Sequence, residues 1–398
     1  MAHMIEQCTM ASGRSPCIGG ADAGMDGVGY CKTGYSGFRC EACVLGFHFS
    51  SSEAQCVACA TPTSYVARYT VLLLVPVALV SGIRYLGHRG VSKRLCALLS
   101  SLEAVRVRSA LSAKLRILVG LSQVACSASF YSIDIPSSLR WLLDGLNLLR
   151  LDIWSAPLLP RACAGGYPVY LLLTAGFPAA VVLIVTSVLV CWQIRHRHEI
   201  DGSSGLEQQT TAVQAAVRGF VAALQPAMSI VMLMCPTVAA AAFDSLHCRR
   251  VVAHSDPLEY RLFLWASPEM ECKSPAAEHL RHLAFLVLAI WPATSLLSMS
   301  WLLWRIRQAV LHRSPTSLST ASKTLWVDYR VGVYWWGIIE LTQRLSLCGM
   351  LVLVPEHMIF IRLLAALFVS FACVVAQAVV RPYARRDVNR FAMTAQLL

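Results

Sequence analysis

Residues 328–383 read DYRVGVYWWGIIELTQRLSLCGMLVLVPEHMIFIRLLAALFVSFACVVAQAVVRPY. Two apolar segments, 334–354 and 358–380, flank the short turn Pro355-Glu356-His357, and each has about the 20 residues with which an α-helix crosses ~30 Å of hydrocarbon. Aromatic residues before the first segment and an arginine after the second are typical of membrane–water interfaces. The stretch therefore predicts two membrane-spanning helices. The residues expected at the interfaces are Tyr334, Trp335, Trp336, Arg381 and Tyr383.

The composition of the whole chain extends this interpretation. Of the 398 residues, 56% are hydrophobic and 14% are charged, with a mean hydropathy of +0.57. Soluble domains carry about 25% charged residues, so a largely intramembrane chain is indicated. The net charge is +12, but the basic residues lie mainly between apolar segments. They are better explained by membrane orientation and by attraction to lipid than by nucleic-acid binding.

The apolar segments predict an all-α transmembrane helical bundle of about seven spans. Their expected positions are 65–85, 115–133, 167–192, 220–243, 282–304, 334–354 and 358–380. With the N-terminus outside, the segments on the cytoplasmic side contain 20 Lys and Arg residues, against 12 on the other side. This asymmetry follows the positive-inside rule and predicts a cytoplasmic C-terminus.

Cysteines set apart a small N-terminal module, residues 1–63, from the membrane region, residues 64–398. The chain has 16 cysteines, seven of them before Thr61. Such density in a short polar segment is typical of disulfides formed outside the cytosol, so we expect an extracellular or luminal N-terminus. Residues 1–7 contain no apolar secretory segment, so either the first apolar helix translocates the N-terminal tail or the natural start lies further upstream, and we favour the second. In the outer loops Cys248 and Cys272 are expected to pair, and a bridge between Cys59 and Cys163 is one option.

The module resembles known cysteine-rich repeats. Cys31 and Cys40, with Gly34-Tyr35-Ser36-Gly37 between them, resemble the last loop of an EGF module, and Cys40-Glu-x-Cys43-x-x-Gly-Phe resembles the laminin-type variant. The resemblance implies the bridges Cys31–Cys40 and Cys43–Cys56 and an adhesive or structural role, with an extracellular ligand or matrix as partner. The alternative is a zinc site, because Cys40-x-x-Cys43 and Cys56-x-x-Cys59 have ligand spacing. An oxidising location favours disulfides, so we expect no metal.

Landmarks from about residue 110 to the end resemble a second family. They are Lys114-Leu-Arg-Ile-Leu118 with Gln123, Phe243-Asp244 with Cys248, Tyr260-Arg-Leu with Cys272 and His279, Tyr329-Arg330 with Trp335-Trp336-x-x-x-Glu340-x-x-x-Arg344, and Arg381-Pro382-Tyr383 with Asn389. Their order resembles the transient-receptor-potential-like, polycystin-like membrane region of algal, protist and fungal proteins. The resemblance implies a cation-channel-like or sensory protein. Such proteins usually continue into further spans, so we expect this chain to be a fragment.

Polar residues inside the predicted spans are the candidate functional residues. Glu340 and Arg344 lie four residues apart, on one helical face where they can pair, and intramembrane charges are costly unless they serve a purpose. They are expected to line a cavity or to couple the preceding segment, residues 325–334, to the bundle; the alternative is a salt bridge that fixes helix packing. The glutamines Gln123, Gln225 and Gln377 are expected to form interhelical hydrogen bonds or to line an ion path.

Two other functions compete with the channel-like one. A seven-helix receptor of the G-protein-coupled kind is favoured by the seven spans and by Cys163, which lies above the third span with a cysteine in the next large outer loop. Against it, the third span ends in Cys191-Trp-Gln-Ile-Arg195 without an acidic-Arg-Tyr motif, and the seventh lacks Asn-Pro-x-x-Tyr. The other is a non-conducting adhesion protein. No phosphate loop or hydrolase motif occurs, so we expect neither enzymatic activity nor a cofactor. Membrane lipid and a homo-oligomer are the remaining expected partners.

Overall fold

The computed structural model describes residues 16–18, 31–36, 40, 42–44, 46–50, 55–59, 67, 70–71, 74, 110–126, 145–146, 163, 166–200, 206–252, 260–264, 267, 270–354 and 358–397. The chain forms two compact units. One comprises Met1–Thr70, Asp152–Thr174 and Ala241–Leu288, and the other comprises Val71–Leu151, Ala175–Ala240 and Ala289–Leu398.

The described residues are mostly helical. The longer helices are α1 (Leu111–Cys126), α2 (Tyr167–Ile200), α3 (Leu206–Asp244), α4 (Pro275–Leu288), α5 (Thr294–Leu311), α8 (Trp336–Cys348), α9 (Ile359–Val380) and α10 (Arg386–Leu397). The π-helical turn Ala289–Ala293 joins α4 to α5 without a break. The short helices α6 (Ser317–Ala321) and α7 (Lys323–Trp326) precede the 3-10 turn Val331–Val333.

Four helical stretches are long and apolar enough to cross a membrane, as judged by length and composition over the described residues. They are Tyr167–Arg195, Val213–Asp244, Pro275–Leu311 and Ile359–Val380, with mean hydropathies of 2.3, 1.8, 1.8 and 2.5. They confirm apolar helices at the predicted spans 167–192, 220–243, 282–304 and 358–380. The chain is therefore an integral membrane protein in character.

The other three predicted spans have different outcomes. Most of segment 65–85 lies outside the described residues, as do residues 127–133 of the second span, whose first part is α1. The predicted span 334–354 is not one continuous helix. Its helical part, α8, has 13 residues and ends at Cys348. The next residue, Gly349, has a φ of −148° and a ψ of −60°, which are not helical, and the 3-10 turn Met350–Leu353 follows. At about 1.5 Å per residue, α8 alone is shorter than the hydrocarbon layer.

Disulfides and hairpins organise the first unit. Strands β1 (Tyr35–Ser36) and β2 (Ala42–Cys43), β3 (Phe47–Ser50) and β4 (Gln55–Ala58), and β5 (Cys248–Val252) and β6 (Tyr260–Leu264) form three antiparallel pairs. The bridges in which both cysteines are described are Cys31–Cys40, Cys43–Cys56, Cys59–Cys163 and Cys248–Cys272. These are the pairs named from the sequence. Disulfides of this density place the N-terminal module in an extracellular or luminal compartment.

The pairing bears directly on the zinc alternative. All four cysteines of the two Cys-x-x-Cys segments are bonded to another sulfur, so none is free as a thiolate ligand. His48, Cys59 and Cys163 place potential ligand atoms within 4.8 Å of one another. Two of those atoms are the sulfurs of one disulfide, however, and a disulfide sulfur is not the thiolate that zinc prefers.

Within the second unit, α10 packs against α1 through small side chains. Val388, Ala392 and Ala395 recur at intervals of four and three residues and are buried, so they form one face of α10. Opposite them, Ala113 and Ile117 of α1 are buried in the same hydrophobic cluster. The alanines allow the two helix backbones to approach closely. This packing holds the C-terminal helix beside the polar site described next.

Candidate functional site

Two chain segments distant in sequence meet in an isolated β-bridge, which forms the backbone platform of the site. Tyr329 and Tyr383 are paired in this bridge. The amide of Arg330 donates to the carbonyl of Pro382 at 2.8 Å, and the amide of Ala384 donates to the carbonyl of Asp328 at 3.0 Å. The rings of Tyr329 and Tyr383 consequently lie side by side, with centroids 5.2 Å apart.

Asn389, in the first turn and a half of α10, fixes the second of these segments. Its Oδ1 accepts a hydrogen bond from the Tyr383 amide at 3.1 Å, and its Nδ2 donates to the Tyr383 carbonyl at 2.7 Å. Arg381, which ends α9, adopts the left-handed conformation with a φ of 48°. The chain therefore turns sharply between α9 and α10, and the side-chain amide of Asn389 holds both polar groups of Tyr383.

Glu340 of α8 lies against the two tyrosines. The hydroxyl of Tyr383 donates to its Oε1 at 2.6 Å, and the hydroxyl of Tyr329 donates to its Oε2 at 3.1 Å. Arg344 lies one helical turn further along, with its Nη2 3.8 Å from Oε2 of Glu340. The tyrosine hydroxyls are thus closer partners of the carboxylate than the arginine is. A carboxylate that is 8% exposed needs such donors, because burying an unpaired charge is costly.

Arg116 of α1 joins the same cluster from another side. Its Nη2 donates to Oδ2 of Asp328 at 3.1 Å and to the hydroxyl oxygen of Tyr329 at 3.3 Å, while its Nη1 donates to the Thr324 carbonyl at 3.1 Å. The guanidinium also lies 5.4 Å from the centre of the Tyr329 ring, within the range of a cation–π contact. We call the following six residues the Glu340 cluster: Arg116, Asp328, Tyr329, Glu340, Arg344 and Tyr383.

The Glu340 cluster is electrically neutral, since its two guanidinium groups balance its two carboxylates. Both hydroxyls remain protonated. Burial raises the pKa of Tyr329 well above its ordinary value, by more than the neighbouring Arg116 lowers it. Burial, and after it the Glu340 carboxylate, raise the pKa of Tyr383. Both tyrosines therefore act as hydrogen-bond donors, and the arrangement is suited to joining helices rather than to proton transfer at neutral pH.

Arg344 depends on a close approach to α1. A Cβ atom placed on Gly120 would lie 2.4 Å from Cζ of Arg344, so the guanidinium packs directly on the helix backbone. Its Nη2 lies 3.4 Å from the Arg116 carbonyl oxygen. The absence of a side chain at Gly120 therefore gives Arg344 the room to reach both α1 and Glu340.

A cavity of about 320 Å³ lies beside the cluster, between residues of α1, α8, α9 and α10. Glu340, Arg344 and Gln377 provide part of its polar lining, and Ile117, Leu121, Leu347 and Ala392 are among its apolar residues. Gln377 is 1% exposed, and its Nε2 has no hydrogen-bond partner among the described residues. The volume is at the lower end of the range found for small-molecule sites.

The structure brings together three of the five intramembrane polar residues predicted from the sequence. Glu340, Arg344 and Gln377 line the same cavity, whereas Gln123 and Gln225 do not. Gln123 instead donates to the Leu233 carbonyl at 2.7 Å, which ties α1 to α3, and Gln225 is exposed. Gln123 therefore serves as the interhelical hydrogen-bond donor that the sequence suggested.

The interface prediction needs correction for two of its five residues. Trp335 and Arg381 are exposed and Tyr334 is half-buried, but Trp336 is 3% exposed and Tyr383 is 2% exposed. Trp336 packs in the hydrophobic cluster between α1 and α10. Tyr383 lies in the same cluster, and its buried hydroxyl donates to Glu340.

Sequence reasoning missed three members of the Glu340 cluster as functional residues: Arg116, Asp328 and Tyr329. Arg116 and Tyr329 were named only as part of the motifs that resemble the TRP-like family. A signal for Arg116 exists, because an arginine near the start of an apolar helix must find a partner. Nothing in the spacing indicated Asp328 as that partner, 212 residues away. Comparison with family models, curated proteins and solved structures finds no match for the chain, so its function is argued from this geometry.

Proposed function

We propose that the chain is a multi-pass membrane protein of the TRP-like cation-channel or sensory kind, in which the Glu340 cluster couples the C-terminal helix α10 to the membrane helices. The observation that carries this proposal is that one buried carboxylate of α8 accepts hydrogen bonds from tyrosines on both sides of the β-bridge. A displacement of the segment after α9 must therefore disturb α8 and α1 as well.

The proposed topology has seven spans, with an EGF- or laminin-like adhesive module outside and the C-terminus in the cytoplasm. The four apolar helices and the N-terminal disulfides support its coarser features. A protease applied to sealed vesicles tests the remainder. We expect it to remove a tag from only one end of the chain, and removal of tags from both ends would contradict an odd number of spans.

The receptor alternative loses one of its arguments. Its cysteine above the third span, Cys163, is bonded to Cys59 rather than to a cysteine of the next outer loop. Cys248 and Cys272 of that loop are bonded to each other. The pairing typical of such receptors is therefore not formed by these residues, and the channel-like or sensory proposal is preferred.

Recording from the purified full-length chain in planar bilayers tests the proposal. We expect cation currents whose open fraction changes in Glu340→Gln, because the variant leaves two arginines facing a single carboxylate in the cluster. Thr342→Val on the exposed face of α8 is the matched control and should leave the currents unchanged. Absence of current from a correctly folded wild-type protein would favour the non-conducting adhesion protein instead.

A further inference from the structure

Residues 312–316 form an exposed connection between α5 and α6. Arg313 lies in the left-handed conformation with a φ of 53°, and the amide of Ser314 donates to the carbonyl of Ala309 at 3.0 Å. Thr316 is extended, with a φ of −107° and a ψ of 160°. The chain therefore leaves α5 abruptly and presents a short non-helical segment to solvent before α6 begins.

Pro315 limits the backbone hydrogen bonds of this segment. Proline has no amide hydrogen, and its ring restricts the preceding residue, Ser314, to extended conformations. Among the described residues, the bond to Ala309 is the only backbone hydrogen bond formed by Ser314 or Pro315. An enzyme that binds its substrate as an extended peptide can therefore take up this segment at the cost of one hydrogen bond.

The hydroxyl groups that follow α5 differ in whether they are already engaged. Thr316 and Ser319 form the capping box of α6, and the hydroxyl of Thr320 donates to the Thr316 carbonyl at 3.0 Å. The hydroxyl of Ser314, by contrast, has no hydrogen-bond partner among the described residues. Ser317 is also exposed, but its backbone belongs to α6. Ser314 is thus the hydroxyl that is both free and on a non-helical segment, as an attacking nucleophile must be.

Interfacial residues of α5 indicate where Ser314 lies relative to the membrane. The guanidinium of Arg305 lies 6.0 Å from the centre of the Trp301 ring, and that of Arg307 lies 5.6 Å from the centre of the Trp304 ring. Exposed tryptophans and arginines are typical of the headgroup level. Ser314 comes seven residues after Arg307, so it lies on the water side of the headgroups. The proposed topology makes this the cytoplasmic side, and the inference rests on that topology.

The dipeptide Ser314-Pro315 is also distinguished by its position in the sequence. Serine or threonine precedes proline at four other places, and the proposed topology puts all of them outside the cell: Ser15, Thr61, Ser267 and Ser274. The hydroxyl oxygen of Ser274 is moreover engaged at the start of α4, where it accepts from the Ala277 amide at 3.3 Å. Only Ser314 therefore combines this dipeptide with access from the cytoplasm.

We propose that Ser314 is a phosphorylation site for a proline-directed serine kinase. Such kinases recognise a serine that is followed directly by proline in an exposed, extended segment. The Ser314 oxygen attacks the γ-phosphorus of a nucleoside triphosphate, and the bond between that phosphorus and the β–γ bridging oxygen breaks. The hydroxyl proton passes to a carboxylate of the kinase. The products are phosphoserine and a nucleoside diphosphate.

The surroundings of Ser314 are suited to the added charge. Residues 305–327 contain three arginines and one lysine but no acidic residue. Among the described residues, none of these four is in a salt bridge. A phosphate group adds about two negative charges and three acceptor oxygens, and it meets no carboxylate within this segment. Ten residues further along, the Thr324 carbonyl accepts from Arg116, so the modified segment leads directly to the Glu340 cluster.

Phosphate labelling of the full-length chain in nanodiscs tests this inference. Both faces of a nanodisc are open, so the result does not depend on the topology. With a purified mitogen-activated protein kinase and radiolabelled ATP, we expect phosphate on Ser314, identified by mass spectrometry of the peptides. Ser314→Ala removes the acceptor and Pro315→Ala removes the recognised proline, so each should lower the labelling rate by about tenfold or more. Ser317→Ala is the matched control and should change the rate by less than about twofold.

The inference is overturned if Ser314 carries no phosphate in nanodiscs, if Pro315→Ala is labelled as fast as the wild type, or if Ser317→Ala loses as much label as Ser314→Ala. Peptide mapping of the wild type needs no variant, so a variant that fails to fold leaves the test intact. Sealed vesicles with an externally accessible N-terminal tag examine the topology separately. We expect external kinase to leave Ser314 unlabelled there, and labelling would contradict both the topology and cytoplasmic access to the site.

Discussion

The hydroxyl of Tyr383 donates a hydrogen bond of 2.6 Å to Oε1 of Glu340, although 43 residues separate them in sequence. The same carboxylate accepts a second hydrogen bond from Tyr329. The Glu340 side chain of α8 is thereby hydrogen-bonded both to the segment before α8 and to the segment after α9. The stability of this region should depend on these two bonds more than on the longer contact with Arg344.

Replacing Tyr383 by phenylalanine should destabilise the protein by about 1–2 kcal/mol, because a buried carboxylate oxygen loses its donor. The measurement is the thermal transition of the purified protein in detergent. A double-mutant cycle with Glu340→Met, which has no carboxylate oxygen to accept the bond, identifies the partner. The two substitutions should cost clearly less together than the sum of their separate effects, since both remove the same bond. Simple additivity would show that the hydroxyl stabilises something other than Glu340.

Gly120→Ala should destabilise the protein by about 1–3 kcal/mol, because the new methyl group occupies the space of the Arg344 guanidinium. The matched control is Gly176→Ala in α2, where no atom among the described residues lies within 4 Å of the added Cβ. There, the higher helix propensity of alanine should leave stability unchanged or raise it by up to about 1 kcal/mol. Equal losses in both variants would argue against the close approach of Arg344 to α1.

The contact between α1 and α10 should weaken in acid. The hydrogen bond from Lys114, followed by that from Arg385, lowers the pKa of Asp387 below its ordinary value of 3.8. A carboxyl group with a lowered native pKa stabilises the fold at pH values above its unfolded pKa, and this contribution is lost as the pH falls through the native pKa. The stability difference between wild type and Asp387→Asn should therefore be constant near neutral pH and disappear below pH 3.8. A difference that persists in stronger acid would contradict this assignment.

The Cys59–Cys163 bridge should keep the N-terminal module attached to the remainder of the chain after cleavage between them. The two cysteines are 104 residues apart. With a specific protease site inserted near residue 90, a denaturing gel should show one linked species without reductant and two fragments with it. Cys163→Ser should give two fragments under both conditions. Cys191→Ser, which removes an exposed cysteine outside any disulfide, should behave as the wild type does.

The parts of the fold that follow from local pattern were predictable. Four apolar helices were located by hydropathy, and the pairing of Glu340 with Arg344 follows from their spacing on one helix. The other members of the Glu340 cluster, such as Arg116 and Tyr329, could not be predicted. Helical periodicity shows which residues share a face of a helix, but it does not show which faces pack together. The break at Gly349 was missed for a related reason, since apolar composition continues through it while the backbone leaves the helix.

The exposure of aromatic residues was also not predictable from local sequence. Trp335 and Trp336 are neighbours with the same apolar surroundings in sequence, yet only Trp335 is exposed. A tryptophan at a lipid interface and one in a helix-packing core satisfy the same local preferences. Only the position of α10 distinguishes them, and that position depends on contacts made far along the chain.

Tyr383 contributes to the wall of the cavity beside Glu340 and also to the wall of a second pocket, which is lined by Arg330, Arg381 and Arg390. A molecule that binds in one space only when this ring has shifted is expected to change the free energy of filling the other. Thermodynamic reciprocity requires the effect to be equal in both directions. A compound that fills the cavity beside Glu340 and shifts the Tyr383 ring would therefore also change the affinity of the second pocket for a ligand.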